Sequence, residues 1–129
     1  MGLIENQARF FADLCRLRDK AVEKGYTVTL GEVERTQYQQ DEYLRSGKSK
    51  KRHSVHQDRL AADLHFYRKD PRYGVISVDT QLTGEQAKRE LTPLGEYWES
   101  LDPMNVWGGF FPEHYGTTFI DCPHFERRK

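Results

Sequence analysis

The sequence has little cysteine, no long apolar run and no excess of charge of either sign. Cys15 and Cys122 are its two cysteines, enough for one disulfide, and in a reducing compartment both are expected to stay free thiols. No apolar stretch approaches the roughly 20 residues that cross a bilayer, so insertion into a membrane is not expected. Met1 to Phe11 carries Glu5, Asn6 and Arg9 among its apolar residues and lacks a signal-peptide core, which predicts a protein that starts life in a cytosol. Twenty Lys and Arg against twenty Asp and Glu give a formal net charge of zero, and that balance argues against a nucleic-acid binder driven by phosphate neutralisation. Internal repeats and low-complexity linkers are also missing, and Gly and Pro fall singly between patterned segments. A chain of 129 residues organised in this way is expected to form one domain over 1–129.

What is present is aromatic and patterned. Seven Phe, seven Tyr and two Trp supply enough apolar area to offset the ordering entropy of a small chain. Phe10, Leu14, Leu17 and Ala21 recur at spacings of four, three and four, which predicts an amphipathic helix from Glu5 to about Lys24, ended by Gly25. Tyr26, Val28 and Leu30 alternate with Thr27 and Thr29, the period of a half-buried strand. A capping box from Thr36 to Gln39 predicts a short helix that stops at Gly47. Residues 47 to 53, GKSKKRH, read as a solvated basic loop, with attraction to an anionic polymer such as a cell-wall glycan or nucleic acid as the alternative.

Leu60 to Phe66 and Val75 to Val78 have strand character. Thr83 to Gln86 forms a second capping box, opening a helix with Ala87, Leu91, Leu94, Trp98 and Leu101 on its stripe. Pro93 predicts a break within it, with Thr92 capping the new turn. Thr117 to Phe125 is expected to be a strand that turns at Cys122-Pro123. Helices and strands mix without regular alternation, which indicates an α+β class.

Five histidines stand at His53, His56, His65, His114 and His124. Catalytic zinc takes three protein ligands from His, Asp or Glu and keeps a fourth position for water, and His56, Asp63 and His124 can supply such a set. On one helix a separation of seven would place His56 and Asp63 roughly 10 Å apart along the axis. On one uninterrupted strand it would send them to opposite faces. A turn around Gln57 to Arg59 followed by a strand carrying Asp63 solves that geometry. Asp121 and His124 likewise converge only if Cys122-Pro123 bends the chain.

The zinc-peptidase signature HExxH is absent, and histidines on mixed strands are commonly just hydrogen-bonded. His65 lies two residues after Asp63, on the same strand face, and is an alternative to His124 as a ligand. Cys122 reads as a small buried side chain or a soft ligand, and Arg35 as a partner of Glu32 or Glu34. Trp107-Gly108-Gly109 reads as a turn with an aromatic anchor, Ser54 as a loop residue, and His53 and His114 as surface histidines.

Three blocks change the weight of these readings. Ser54-Val55-His56-Gln57-Asp58-Arg59-Leu60-Ala61-Ala62-Asp63, then Trp107-Gly108-Gly109, then Asp121-Cys122-Pro123-His124-Phe125-Glu126 together resemble the zinc D-Ala-D-Ala carboxypeptidase and L-alanyl-D-glutamate endopeptidase family, above all its phage endolysin branch. Upstream, Gly31-Glu32-Val33-Glu34-Arg35-Thr36 and Gln39-Gln40 resemble the family's substrate-binding Arg segment, so the likeness runs from residue 31 to 126 in the expected order.

The resemblance implies a single α+β domain of the Hedgehog/DD-peptidase-like kind, an antiparallel sheet with flanking helices. It implies zinc held by His56, Asp63 and His124, and Asp121 as general base. It also implies Arg35 as the cation for a substrate carboxylate or developing oxyanion, and Ser54 as a substrate hydrogen-bonder. The implied reaction is hydrolysis of the L-alanyl-D-glutamate bond in the stem peptide of bacterial peptidoglycan, by a monomer made in the host cytoplasm that reaches the wall after a separate protein permeabilises the membrane. Arg59 stands where many members have Gly three residues after the first ligand, and the base position holds Asp rather than the Glu of the carboxypeptidase branch; both departures favour an endopeptidase. The alternatives are a D-Ala-D-Ala carboxypeptidase or dipeptidase, and a phage structural module that keeps the fold without catalysis.

Overall fold

The computed structural model describes residues 2–33 and 60–128. The predicted Thr36 helix, the 47–53 loop, and Arg35, His53, Ser54 and His56 lie outside the described residues.

Helix α1, Leu3–Glu23, buries Phe10, Asp13, Leu17 and Ala21 on one stripe. It ends where the sequence places a glycine: Gly25 adopts φ +99°, and the Tyr26 and Gly25 amides donate back to the Ala21 and Val22 carbonyls at 3.0 Å each. This is the paired closure that a left-handed glycine permits. Strand β1, Thr27–Leu30, follows. Val28 packs on the core, but Leu30 is exposed, so the alternation expected for this strand is only half realised.

The spine of the fold is β2, Ala61–Asp70, ten residues long and four residues longer at its end than the sequence pattern predicts. It belongs to a five-stranded sheet in the order β1-β2-β5-β4, with β3, Gly74–Ser77, also paired to β2. Every pairing is antiparallel. Tyr67 meets Thr27 of β1 on one edge and Ser77 of β3 on the other, whereas Ala61 to Asp63 pair with β5, His124–Arg127. Ala62, Leu64 and Phe66 alternate onto the core face and are almost wholly buried. Asp63, His65 and Tyr67 alternate onto the other face, which remains partly open.

After β3 come a single helical turn, α2 (Val78–Gln81), and then α3, Gly84–Leu101, opened by the complete Thr83/Gln86 capping box. The break expected at Pro93 does not occur: α3 runs through it, and Thr92, instead of capping a new turn, donates its hydroxyl to the Lys88 carbonyl at 2.6 Å. Leu91, Leu94, Gly95 and Trp98 are buried on both sides of the proline. Burial of a large apolar side chain is worth about 1.5–3 kcal/mol, so this stripe outweighs the roughly 3 kcal/mol that an interior proline costs a helix.

The core is an aromatic lattice in which Phe10 meets Trp98 edge to face at 5.7 Å, and Phe125 meets Trp98 and Phe66 at 5.8 and 5.9 Å.

The chain then forms β4, Asn105–Trp107, a 3-10 turn over Gly108–Phe110, and the short helix α4, Phe111–Tyr115. Thr117 to Asp121 is not a strand, contrary to the sequence expectation. β4 leaves the sheet at Gly108 by entering the 3-10 turn, so among the described residues no strand pairs with 117–121, and β5 begins only at His124.

Candidate metal centre

Asp63 and His124 are direct partners in the β2–β5 register. The Asp63 amide donates to Glu32 O at 2.8 Å and its carbonyl accepts from the Gly31 amide at 2.7 Å, so both main-chain groups face the β1 edge. Toward β5, therefore, Asp63 and His124 form a non-hydrogen-bonded pair, the arrangement in which opposed side chains approach most closely. His124 Nδ1 lies 3.7 Å from Asp63 Oδ1. Two donors on one zinc, each at about 2.0–2.2 Å, are about 3.5 Å apart in a tetrahedral site, so the spacing fits a shared metal.

Glu126, two residues along β5 and on the same face, holds the other side of the ring, its Oε1 2.7 Å from His124 Nε2. An imidazole facing a metal position with one nitrogen and a carboxylate with the other is the usual arrangement around zinc. Burial pushes the His124 pKa down, but Asp63, Glu126 and Asp121 outweigh it and raise it to about 9. The surroundings of this imidazole are thus built to accommodate positive charge.

The Asp121 to His124 segment is a tight turn closed by the His124 amide on the Asp121 carbonyl at 3.1 Å, so the chain does bend at Cys122-Pro123. Two neighbours hold it. The Trp107 indole N–H donates to the Cys122 carbonyl at 2.8 Å, and the Asp121 amide donates to the Gly108 carbonyl at 3.1 Å. Gly108 must be glycine for this approach, because a Cβ there would collide with the Asp121 carbonyl oxygen and come within 2.9 Å of His124 Cβ. Trp107 lies flat in turn because Gly95 of α3 leaves room for its indole. Trp107-Gly108-Gly109 is therefore both an aromatic anchor and the cradle of the turn. Burial raises the Asp121 carboxyl above the usual range, the His124 charge opposing this and Asp63 adding to it.

Cys122 is buried, and burial together with the neighbouring Asp121 charge pushes its thiol up to about 12. It stays protonated at neutral pH, a small apolar side chain rather than a soft ligand. Both cysteines are free. His65 does not compete for the place opposite Asp63: its Nδ1 lies 3.0 Å from Asp79 Oδ2. His114 likewise pairs with Glu99 at 2.9 Å.

Among the described residues no group of three His, Cys, Asp or Glu side chains is placed to hold a metal ion. Asp63 and His124 are brought together. The third ligand implied by the resemblance, His56, lies outside the described residues, as do Arg35 and Ser54. Sequence reasoning missed Glu126 and Asp79. The first was accessible, since a spacing of two from His124 on a strand puts both on one face. The second was not, because Asp79 reaches His65 across a strand pair and a helical turn.

No protein-family model matches the chain, and no curated protein matches it by sequence. Four solved chains match in structure. One is the L-Ala D-Glu endopeptidase ChiX of Serratia marcescens, with a TM-score of 0.58 and 23% identity over 95% of this chain and 84% of that one. The α+β architecture, an antiparallel sheet flanked by helices, is thus one that this chain shares with a known endopeptidase.

Proposed function

We propose that the protein is a zinc-dependent peptidase of bacterial peptidoglycan that hydrolyses the L-alanyl-D-glutamate bond of the stem peptide, acting as a phage-type endolysin. The observation that carries this reading is the close approach of Asp63 and His124 across a non-hydrogen-bonded strand pair. The fold likeness to an L-Ala D-Glu endopeptidase supports the choice of bond.

His56, Asp63 and His124 would hold the metal, two imidazoles and a carboxylate being a set that catalytic zinc accepts. Bound there, zinc supplies a Lewis acid and lowers the pKa of water toward about 7. Asp121 carries the proton. Its carboxylate, close to His124 and Asp63, accepts the proton of the attacking water and delivers it to the leaving amine of D-glutamate as the C–N bond breaks. Glu126 fixes the His124 ring with Nδ1 toward Asp63. Arg35 anchors a substrate carboxylate or the developing oxyanion, and Ser54 hydrogen-bonds the peptide. The enzyme works as a monomer, is made in the host cytoplasm and meets the wall once another protein has permeabilised the membrane.

Metal analysis combined with muropeptide digestion tests the assignment. The purified chain should carry about one zinc, lost in His124→Ala, whereas Asp121→Ala should retain zinc and lose turnover. An Asp121→Ala variant that digests muropeptides at the wild-type rate would remove Asp121 from its role. Release of terminal D-alanine in place of a new amino-terminal glutamate would make the enzyme a carboxypeptidase.

A further inference from the structure

Helix α4 ties its exposed polar residues Glu113 and His114 to α3, while Phe111 is half-buried and Tyr115 exposed. Glu113 Oε1 lies 2.6 Å from Lys88 Nζ and His114 Nε2 lies 2.9 Å from Glu99 Oε2, both partners on α3. These contacts pin the helix. Phe111 and Tyr115, one turn apart and 5.7 Å between ring centroids, are left on the other side. Gly116, at φ +68°, reverses the chain, and Phe119 comes back to lie nearly parallel to Phe111, at 6.3 Å and 28°. Phe111 itself touches the His124 imidazole, 5.4 Å from centroid to centroid. Tyr115 and Phe119 are 54% and 59% exposed. The result is an aromatic ledge that starts at the candidate metal ligand and runs into solvent. Single exposed apolar residues are ordinary, but a contiguous group at the rim of a site marks a binding surface.

We infer that this ledge is a subsite for a pyranose ring of the glycan strand, stacked on Phe119 and Tyr115. The inference rests on the peptidoglycan-peptidase reading above and adds the sugar to its substrate. The stem peptide offers no large apolar side chain to fill such a surface; its glutamate and diamino acid are charged. The pyranose presents a flat face of C–H bonds, which aromatic faces attract as they do other polarised hydrogens. Distance agrees as well. The alanine whose carbonyl is attacked is joined through its amine to the sugar's lactyl group, so the ring lies about one residue, roughly 4 Å of backbone, plus that short linker from the scissile bond. The ledge leaves His124 in comparable steps, 5.4 Å to the Phe111 ring and then 5.7 Å to Tyr115 and 6.3 Å to Phe119 between centroids.

The test uses the full, zinc-loaded chain and two substrates, a disaccharide-bearing muropeptide and the same stem peptide without sugar. Wild type should favour the muropeptide in kcat/KM, and Phe119→Ala and Tyr115→Ala should each lower that preference about three- to tenfold, while Tyr115→Phe, which keeps the ring, should preserve it. A preference unchanged in both alanine variants overturns the proposal, as does an equal loss on both substrates. Separately, titration with the N-acetylglucosaminyl-N-acetylmuramic acid disaccharide should shift the Tyr115 and Phe119 ring resonances in NMR spectra. Rings that do not move also overturn it. If wild type cleaves neither substrate the peptidase reading fails, and the resonance experiment still decides the sugar site.

Discussion

Asp63 turns its main-chain groups to the β1 edge of β2 and its side chain onto the sheet face opposite the core, beside His124 of β5. Its amide and carbonyl are engaged by Glu32 and Gly31, and this orientation brings its carboxylate close to His124 across the other edge. The sequence constrains that arrangement through parity: a separation of three between Asp121 and His124 demands a bend, and the hydrogen-bonded turn at Cys122-Pro123 provides it. Glu126 follows from the same parity argument, applied one step further along β5. We expect Glu126→Gln to keep the fold and to weaken zinc binding about 10- to 100-fold, as loss of an outer carboxylate does elsewhere, measured by competition against a chromophoric chelator. Unchanged affinity would show that Glu126 only fills space. Residue pairs such as His65 with Asp79, 14 positions apart, were beyond reach of the sequence because two intervening elements set their approach.

Elements long enough to repeat their pattern were legible, as were the four-residue strands β1 and β3, whereas β4 and α4 were not. α1 and α3 each bury one stripe whose spacing is visible in the sequence. β4 and α4, three and five residues long, contain too few positions to display a period. In α3 the local signal was misleading: Pro93 suggested a break, and burial of the stripe on both sides kept the helix whole. Pro93 is exposed and lacks the amide that would continue the ladder. Pro93→Ala should therefore stabilise the protein by about 1–2 kcal/mol, less than the full proline penalty because the unfolded chain also gains freedom. Thermal or denaturant unfolding would show this as a rise in midpoint, and a fall would mean that the ring makes packing contacts of its own.

Across the whole molecule, the core lies between one face of the sheet and the two long helices, and the opposite face of β2 and β5 carries the polar site. Glu90 of α3 locks this arrangement to the sheet. It accepts two hydrogen bonds from Arg68 of β2, at 2.7 and 2.8 Å, and one from Tyr26 at 2.8 Å. The Arg68 hydrogen bonds, working against burial, hold its carboxyl below the ordinary 4.5. A native value below the unfolded one stabilises the fold at every pH above about 4.5, and that stability is lost as pH falls through the lower native value. Glu90→Gln should cost about 1 kcal/mol at neutral pH, and its difference from wild type should shrink as acid protonates Glu90. A difference that stays constant into acid would place the contribution in packing. The fold class was legible from irregular mixing of helices and strands, and the pairing of Asp63 with His124 is set by the sheet register.

The account depends on a metal shared by Asp63 and His124 and on hydrolysis assisted by Asp121. Its most direct test is to incubate purified sacculi with the full chain, with and without a chelator, and to identify newly exposed amino groups. The account predicts new amino-terminal glutamate, abolished by chelation and restored by zinc. Release of that terminus at an undiminished rate under chelation, or no new amino terminus with zinc present, would contradict it.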